Sequence, residues 1–201
     1  NVAALGELWK GGGAGCHNMI MVTLGTGVGG GIIVNDKVIA GAHGAGGEIG
    51  HAHVIDGMQE ACNCGNHGCL EQYISEPAVL SRYRELSGRT TVSIDDLVWA
   101  YNQKETAALA VTDEFTTYLA CGINNLWNLF SPECIILNCQ LTAYLPQLLP
   151  EILQKLSPRF RATCHLKLST LQDTGVLLGA AKVCISKYLG TEKLYFSGLQ
   201  P

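Results

Sequence analysis

Three observations predict an α/β fold. After residue 130 the chain runs strand, helix, strand, helix, the order that builds a parallel layer. Residues 18–40 alternate short apolar runs with glycines and an Asn-Asp pair, the pattern of an antiparallel β-meander. Between these regions stands the longest predicted helix, Glu105 to Phe130.

Taken in order, Val2-Ala3-Ala4-Leu5-Gly6-Glu7-Leu8-Trp9 carries helical spacing from the outset. Because that pattern is already under way at Asn1, with no Met before it, the chain is expected to be a fragment. Asn18 to Leu24 reads as an apolar strand, which Gly25-Thr26-Gly27-Val28-Gly29-Gly30-Gly31 breaks before Ile32-Ile33-Val34 resumes it. Asn35-Asp36 tolerates the positive φ of a two-residue hairpin turn, and Lys37 to Ala40 supplies the returning strand. Leu70 to Leu86 and Ser93 to Tyr101 have helical spacing, with Ser93 as N-cap. Pro132 ends the long helix. Cys134 to Asn138 follows as a buried strand, Leu141 to Leu156 as a helix with Pro146 near its start, Thr163 to Leu168 as a last strand and Gly175 to Tyr188 as a last helix. No repeat or linker interrupts residues 1–190, which read as one domain or the larger lobe of a two-lobed protein. Glu192 to Gly198 partly match a protease-tag sequence, but Lys193 and the absent Gln break the match and equally suit a native segment, so the tail 191–201 carries no assignment.

The run Cys62-Asn63-Cys64-Gly65-Asn66-His67-Gly68-Cys69 places three thiols in a glycine-rich loop shortly after His51. Three Cys and one His are a standard structural zinc set, and glycines let the backbone wrap a small ion. A bridge between Cys62 and Cys64, one residue apart, would be strained, whereas a metal needs both on the same side of a tight loop. The other six cysteines, Cys16, Cys121, Cys134, Cys139, Cys164 and Cys184, lie scattered in apolar stretches and read as reduced core thiols. His51 is the preferred fourth ligand. His53 is the fallback, two residues along the same face, and His67 lies awkwardly inside the loop.

The net charge of −4, with 13 Lys and Arg spread thinly, offers no basic stripe for nucleic acid, so bound phosphates would be met by backbone or helix ends. No apolar run approaches the roughly 20 residues of a membrane span and no leader opens the chain. A cytoplasmic protein is expected. Leu24 to Gly31 suits approach of backbone N–H groups to phosphate oxygens, and equally suits a glycine bulge in a meander. It lacks the Walker lysine pattern. Glu48 and Glu71 flank the cysteine loop. Either acid alone reads as a solvated surface group, but His51, with one ring nitrogen on zinc, would turn the other toward a ligand.

Leu24 to Gly31, Gly46-Gly47-Glu48-Ile49-Gly50-His51 and Cys62-x-Cys64-Gly65-x-x-Gly68-Cys69-x-Glu71 together resemble the ROK family of sugar kinases and repressors, most nearly its bacterial glucokinases. Asn1 to Lys10 is similar to the segment that follows the family's catalytic motif. These motifs are specific from Asn1 to Glu71; beyond Glu105 the likeness rests on the order of elements and on Gly175 to Ala181. The resemblance implies the large lobe of an actin-like ATPase (ribonuclease H-like) fold with β-meander, zinc loop and flanking helices. It implies that Glu48, His51 and Glu71 contact the sugar, that His51, Cys62, Cys64 and Cys69 hold structural zinc, and that Gly25, Thr26 and Gly27 form the second phosphate loop. The implied reaction is phosphorylation of glucose, or a related hexose, at its 6-hydroxyl by ATP with Mg²⁺, in a homodimeric enzyme. Asn1 matches the last Asn of the family's Asn-Asp-Ala-Asn motif, so no catalytic residue is expected in this chain. The aspartate base is expected just before Asn1, and these residues alone are expected to be inactive. The other class implied is a sugar-responsive repressor, with the same lobe fused to a DNA-binding helix-turn-helix. Where family kinases carry a glycine-rich turn near the nucleotide, this chain has Asn138-Cys139-Gln140-Leu141, whose side chains are expected to crowd an adenine.

Overall fold

The structure, a computed structural model, describes residues 1–55 and 61–191. The unassigned tail from residue 192 onward lies outside the described residues. Among the described residues five strands form one mixed sheet in the order β3-β2-β1-β4-β5: β1 (Met19–Leu24), β2 (Val28–Val34), β3 (Lys37–Val38), β4 (Cys134–Cys139) and β5 (His165–Leu168). β1 pairs antiparallel with β2, from Met19↔Ile33 to Leu24↔Val28, and parallel with β4, from Met19↔Cys134 to Leu24↔Cys139. The meander and the parallel layer are therefore one sheet, joined at β1. Asn35 and Asp36 take the predicted positive φ, 51° and 65°.

Successive strand residues face opposite ways, and both faces are covered, so the central strands are apolar throughout. Ile20, Val22 and Leu24 of β1 join Ile135 and Leu137 of β4 on one face, under α5 (Thr106–Phe130), α3 (Glu76–Ser87), α4 (Ile94–Asn102) and α7 (Leu148–Lys155). Met19, Met21, Ile33 and Ile136 face the other way, toward Ala4 of α1 (Val2–Lys10). α1 in turn packs on α9 (Thr174–Leu189).

Four sequence expectations are corrected. First, glycines 29–31 do not break the strand: β2 runs through them because they clear room on both faces. A Cβ on Gly31 would stand 2.4 Å from that of Ala4, and one on Gly30 would meet Ile49 at 3.0 Å. Second, the helix expected over Leu70 to Leu86 divides into α2 (Glu71–Ile74) and α3. Ser75 is extended there and caps α3 by accepting the Ala78 N–H, with Pro77 in the first turn. Third, the helix expected over Leu141 to Leu156 divides into α6 (Gln140–Tyr144) and α7, because Pro146 pushes Leu145 out of helical geometry. Fourth, α8 (Pro158–Thr163) precedes β5 where strand was expected from Thr163, its Ser157 cap accepting the Phe160 N–H. Elsewhere the expected helices form, including the Ser93–Asp96 capping box of α4. Among the described residues no helix is long and apolar enough to cross a membrane.

α1 and α9 touch backbone to backbone. A Cβ on Gly6 would lie 2.1 Å from the Gly175 carbonyl oxygen, and one on Gly179 would lie 1.8 Å from that of Val2. Gly6→Ala is expected to cost about 3 kcal/mol, since the obstacle is main chain that no rotamer change removes. An unshifted urea midpoint in that variant would refute the contact.

At the start of the sheet, Glu133 Oε1 accepts the backbone N–H of His17 (3.0 Å) and of Asn18 (2.9 Å) and the Asn18 side-chain amide (3.2 Å). Desolvation works to raise the pKa of the exposed Glu133, but these donors together outweigh it and hold the carboxyl below its ordinary 4.5. A carboxylate with a depressed folded pKa contributes stability that is present above its unfolded value and lost as pH falls through the folded one. Denaturant titrations from pH 7 to 2 should therefore show Glu133→Gln weaker than the parent at neutral pH, with the gap closing below pH 4.5. A gap that stays constant across the range would contradict this.

Candidate functional site: a Cys3His cluster beside a glycine hairpin

The short 3₁₀ turn Ile49–His51 carries His51 toward the cysteine loop. The following residues pair with the far side of that loop through Val54 N–H to Gly68 O (2.9 Å) and Leu70 N–H to Ala52 O (2.9 Å). Within the loop, Gly65 N–H donates to Cys62 O at 2.8 Å, and Gly65 and Gly68 take φ of +89° and +71°. At Gly68 a side chain would also strike the Ile55 carbonyl oxygen, at 1.8 Å.

This folding gathers His51, Cys62, Cys64 and Cys69 so that one ligand atom from each lies within 4.8 Å of the others. His51 Nδ1 is 3.5 Å from Cys62 Sγ, and Cys64 Sγ is 3.6 Å from Cys69 Sγ. Zn–S bonds of about 2.3 Å and Zn–N bonds of about 2.0 Å at tetrahedral angles require edges of roughly 3.5–3.8 Å. The donor set fits zinc. His53 stands apart, its Nδ1 3.0 Å from the His67 carbonyl oxygen. The thiols are unequal. Cys64 is exposed, and the Asn66 backbone holds its pKa below the ordinary thiol value; burial, reinforced by the neighbouring thiols, pushes Cys69 up to about 12. Metal uptake by such a set displaces protons.

The other predicted residues adjoin this cluster. With Nδ1 toward the thiols, His51 Nε2 lies 3.8 Å from Glu48 Oε2, on a side chain 64 % exposed. Glu71 opens α2 two residues after Cys69, and its Oε2 accepts the Val28 N–H at 2.8 Å. Gly27 makes the approach possible: a Cβ there would stand 2.8 Å from that oxygen. Gly25-Thr26-Gly27 is the connection of the β1–β2 hairpin, fastened to the start of α3 by Glu76 N–H to Gly25 O (2.9 Å). At Gly25 a Cβ would meet nothing within 4 Å, so there is open space beside the hairpin, while the Gly25 N–H itself donates to Gly27 O at 3.0 Å. A cavity of about 860 Å³ adjoins, with Thr26, Asn63, Glu71 and Gln72 among its walls. At the end of β4, Cys139 leads directly into α6, whose Gln140 is exposed and donates to the Tyr144 hydroxyl at 3.2 Å.

Sequence reasoning missed two positioning groups. The Asn1 side-chain amide donates to Gly46 O at 3.2 Å, placing the start of α1 over the segment that bears Glu48. Glu7 is fully buried: it accepts the Gly12 N–H (2.8 Å), the Leu171 N–H (3.3 Å) and the Ser169 hydroxyl, and so anchors α1. A carboxylate three residues from Ala4, on the apolar face of a helix, was the available signal.

The glycine hairpin, the Cys/His loop and the mixed sheet together define an α/β lobe with a candidate metal centre beside a cavity, and comparison with known proteins gives its family. The ROK family model matches residues 1–187, and the chain belongs to that family. It is 36% identical over 197 residues to a glucokinase of Halalkalibacterium halodurans, covering 89% of this chain and 60% of the relative. To the xylose repressor of Bacillus spizizenii it is 31% identical over 198 residues, covering 96% of this chain and 51% of the repressor. A ROK glucokinase of Streptomyces griseus, solved in complex with glucose and AMPPNP, superposes with a TM-score of 0.80 at 27% identity, over 91% of this chain and 65% of that one. The chain thus spans about half to two thirds of the length of these relatives. Its fold is the actin-like ATPase fold of the ROK sugar kinases.

Proposed function

We propose that this chain is the large, ligand-binding lobe, residues 1–190, of an ATP-dependent hexose kinase that phosphorylates glucose at the 6-hydroxyl. The observation that carries the reading is the Glu71–Val28 hydrogen bond, which ties the Cys/His loop to the glycine hairpin. Sugar and phosphate sites would then share one rigid support.

In this reading His51 Nε2, Glu48 and Glu71 hydrogen-bond sugar hydroxyls and fix the hexose in one orientation. The Gly25-Thr26-Gly27 connection, with open space beside Gly25, receives ATP phosphates, whose charge Mg²⁺ would neutralise. Zinc held by His51, Cys62, Cys64 and Cys69 is structural, keeping the loop that presents His51 and Glu71 in place. The base that takes the 6-hydroxyl proton belongs to residues preceding Asn1. The Asn1–Gly46 hydrogen bond supports this, because it sets Asn1 itself against the segment that bears Glu48. A homodimer working in the cytoplasm completes the proposal.

The repressor reading retains support, since the xylose repressor aligns along almost the whole chain. A coupled ADP-release assay on the product of the complete reading frame, with glucose, fructose, mannose and N-acetylated hexoses, separates the two. Turnover on glucose at about 1–1,000 s⁻¹ is expected. Glucose binding without turnover on any hexose, together with sugar-sensitive DNA binding, would establish the repressor instead.

A further inference from the structure

We propose that Cys16 and Cys134 are a redox-active pair that closes a reversible intramolecular disulfide, a covalent modification site separate from the Cys/His cluster. Their sulfurs lie 3.2 Å apart although the residues are 118 positions apart in the chain. That is already closer than ordinary sulfur–sulfur contact, and a bond of about 2.05 Å needs only about 1.2 Å of further approach. Cys16 ends the tight turn after α1, its N–H donating to Gly13 O at 3.0 Å, and Cys134 opens β4.

A second observation holds the pair in register. Glu133, next to Cys134, accepts the main-chain N–H of both His17 and Asn18, just beyond Cys16. The two segments are thus clamped beside the thiols, and closing the bond asks for small side-chain and loop shifts, not strand separation. The alternative partner is less well placed: Cys164 lies near both thiols, but its Sγ is turned to the main chain of Ile135 and His165, the latter at 4.0 Å.

Exposure assigns the roles. Cys16 is partly exposed and Cys134 is buried, with burial and the adjacent Cys16 pushing the Cys134 thiol up to about 12. Cys16 therefore reacts first. Its thiolate attacks one sulfur of a small disulfide, that S–S bond breaks, and one small thiolate leaves. Cys134 then gives up its proton and attacks Cys16 Sγ, breaking the mixed disulfide and expelling the second small thiolate. Two protein thiols are oxidised by two electrons, one small disulfide is reduced to two thiols, and the two protons end on them.

The test treats the zinc-loaded chain with oxidised glutathione, then maps every cysteine by differential alkylation and peptide mass spectrometry and records the thermal midpoint. The expected result is a Cys16–Cys134 cross-linked peptide and a midpoint raised by roughly 5–15 °C, because the bond closes a very long loop in the unfolded chain. Dithiothreitol should reverse both. Cys16→Ser, at a half-buried position, should abolish both while leaving the reduced midpoint close to the parent's; Cys184→Ser, on the exposed face of α9, should abolish neither. The proposal is overturned if Cys16 and Cys134 stay alkylatable while exposed Cys184 becomes glutathionylated. A Cys134–Cys164 cross-link, or a midpoint rise that persists in Cys16→Ser, would overturn it equally.

Discussion

Cys64→Ser is expected to lower bound zinc from about one per chain to below about one-tenth, and to weaken glucose binding at least about tenfold. The position is diagnostic because the Cys64 thiol is exposed. A Ser there removes no packing and opens no cavity, so the fold of an ion-free protein would not register the change. If the thiol is one of four ligands, its loss leaves a three-donor site, and the stretch from Cys62 to Cys69 keeps only a few main-chain hydrogen bonds. His51 is then free to rotate, and Glu71 loses the anchor two residues before it. Metal analysis of protein purified without added zinc, paired with glucose calorimetry, reads both effects. Zinc retained at parent level, or an unchanged glucose affinity, would remove Cys64 from the site.

Glu71→Ala is expected to reduce glucose affinity on the order of 10–100-fold and to loosen the β1–β2 hairpin. A hydrogen bond from a backbone N–H to a carboxylate contributes about 1.5–3 kcal/mol, and here it joins Val28 to Glu71 across 43 residues. Alanine loses both that bond and the acceptor offered to the sugar. Glu71→Gln separates the two roles, because its carbonyl oxygen can still accept the Val28 N–H while the charge is gone. Hydrogen exchange at Val28 should accelerate strongly in the alanine variant and slightly in the glutamine variant, with glucose affinity reduced in both. Equal exchange rates in all three proteins would show that Glu71 does not hold the hairpin.

What the sequence revealed was what depends on near neighbours. The Asn35-Asp36 turn, the Ser93 capping box and the long helix ending before Pro132 are each written within a few residues. The same holds for the gathering of His51, Cys62, Cys64 and Cys69, whose donors all lie within 18 residues of one another. What escaped depends on partners brought close only by folding. Gly30 and Gly31 look like strand breakers until Ile49 and Ala4 are seen pressing on them. Glu7 finds its second set of donors more than 160 residues away, at Ser169 and Leu171. The breaks at Ser75 and Leu145 are a different case: helical spacing persists through both, and the local signals of Ser75, Pro77 and Pro146 were outweighed by it.

The glycine contacts between α1 and α9 also restrict how the molecule can move. Helices separated by side chains can slide, trading one set of interdigitated groups for another at modest cost. Here a slip of one turn along the axis would bring Val2 or Lys10 to the place of Gly6 against the Gly175 carbonyl, where even a methyl group does not fit. The pair has no gliding mode. Any displacement of α1 must carry α9 with it, so that the two helices act as a single strut.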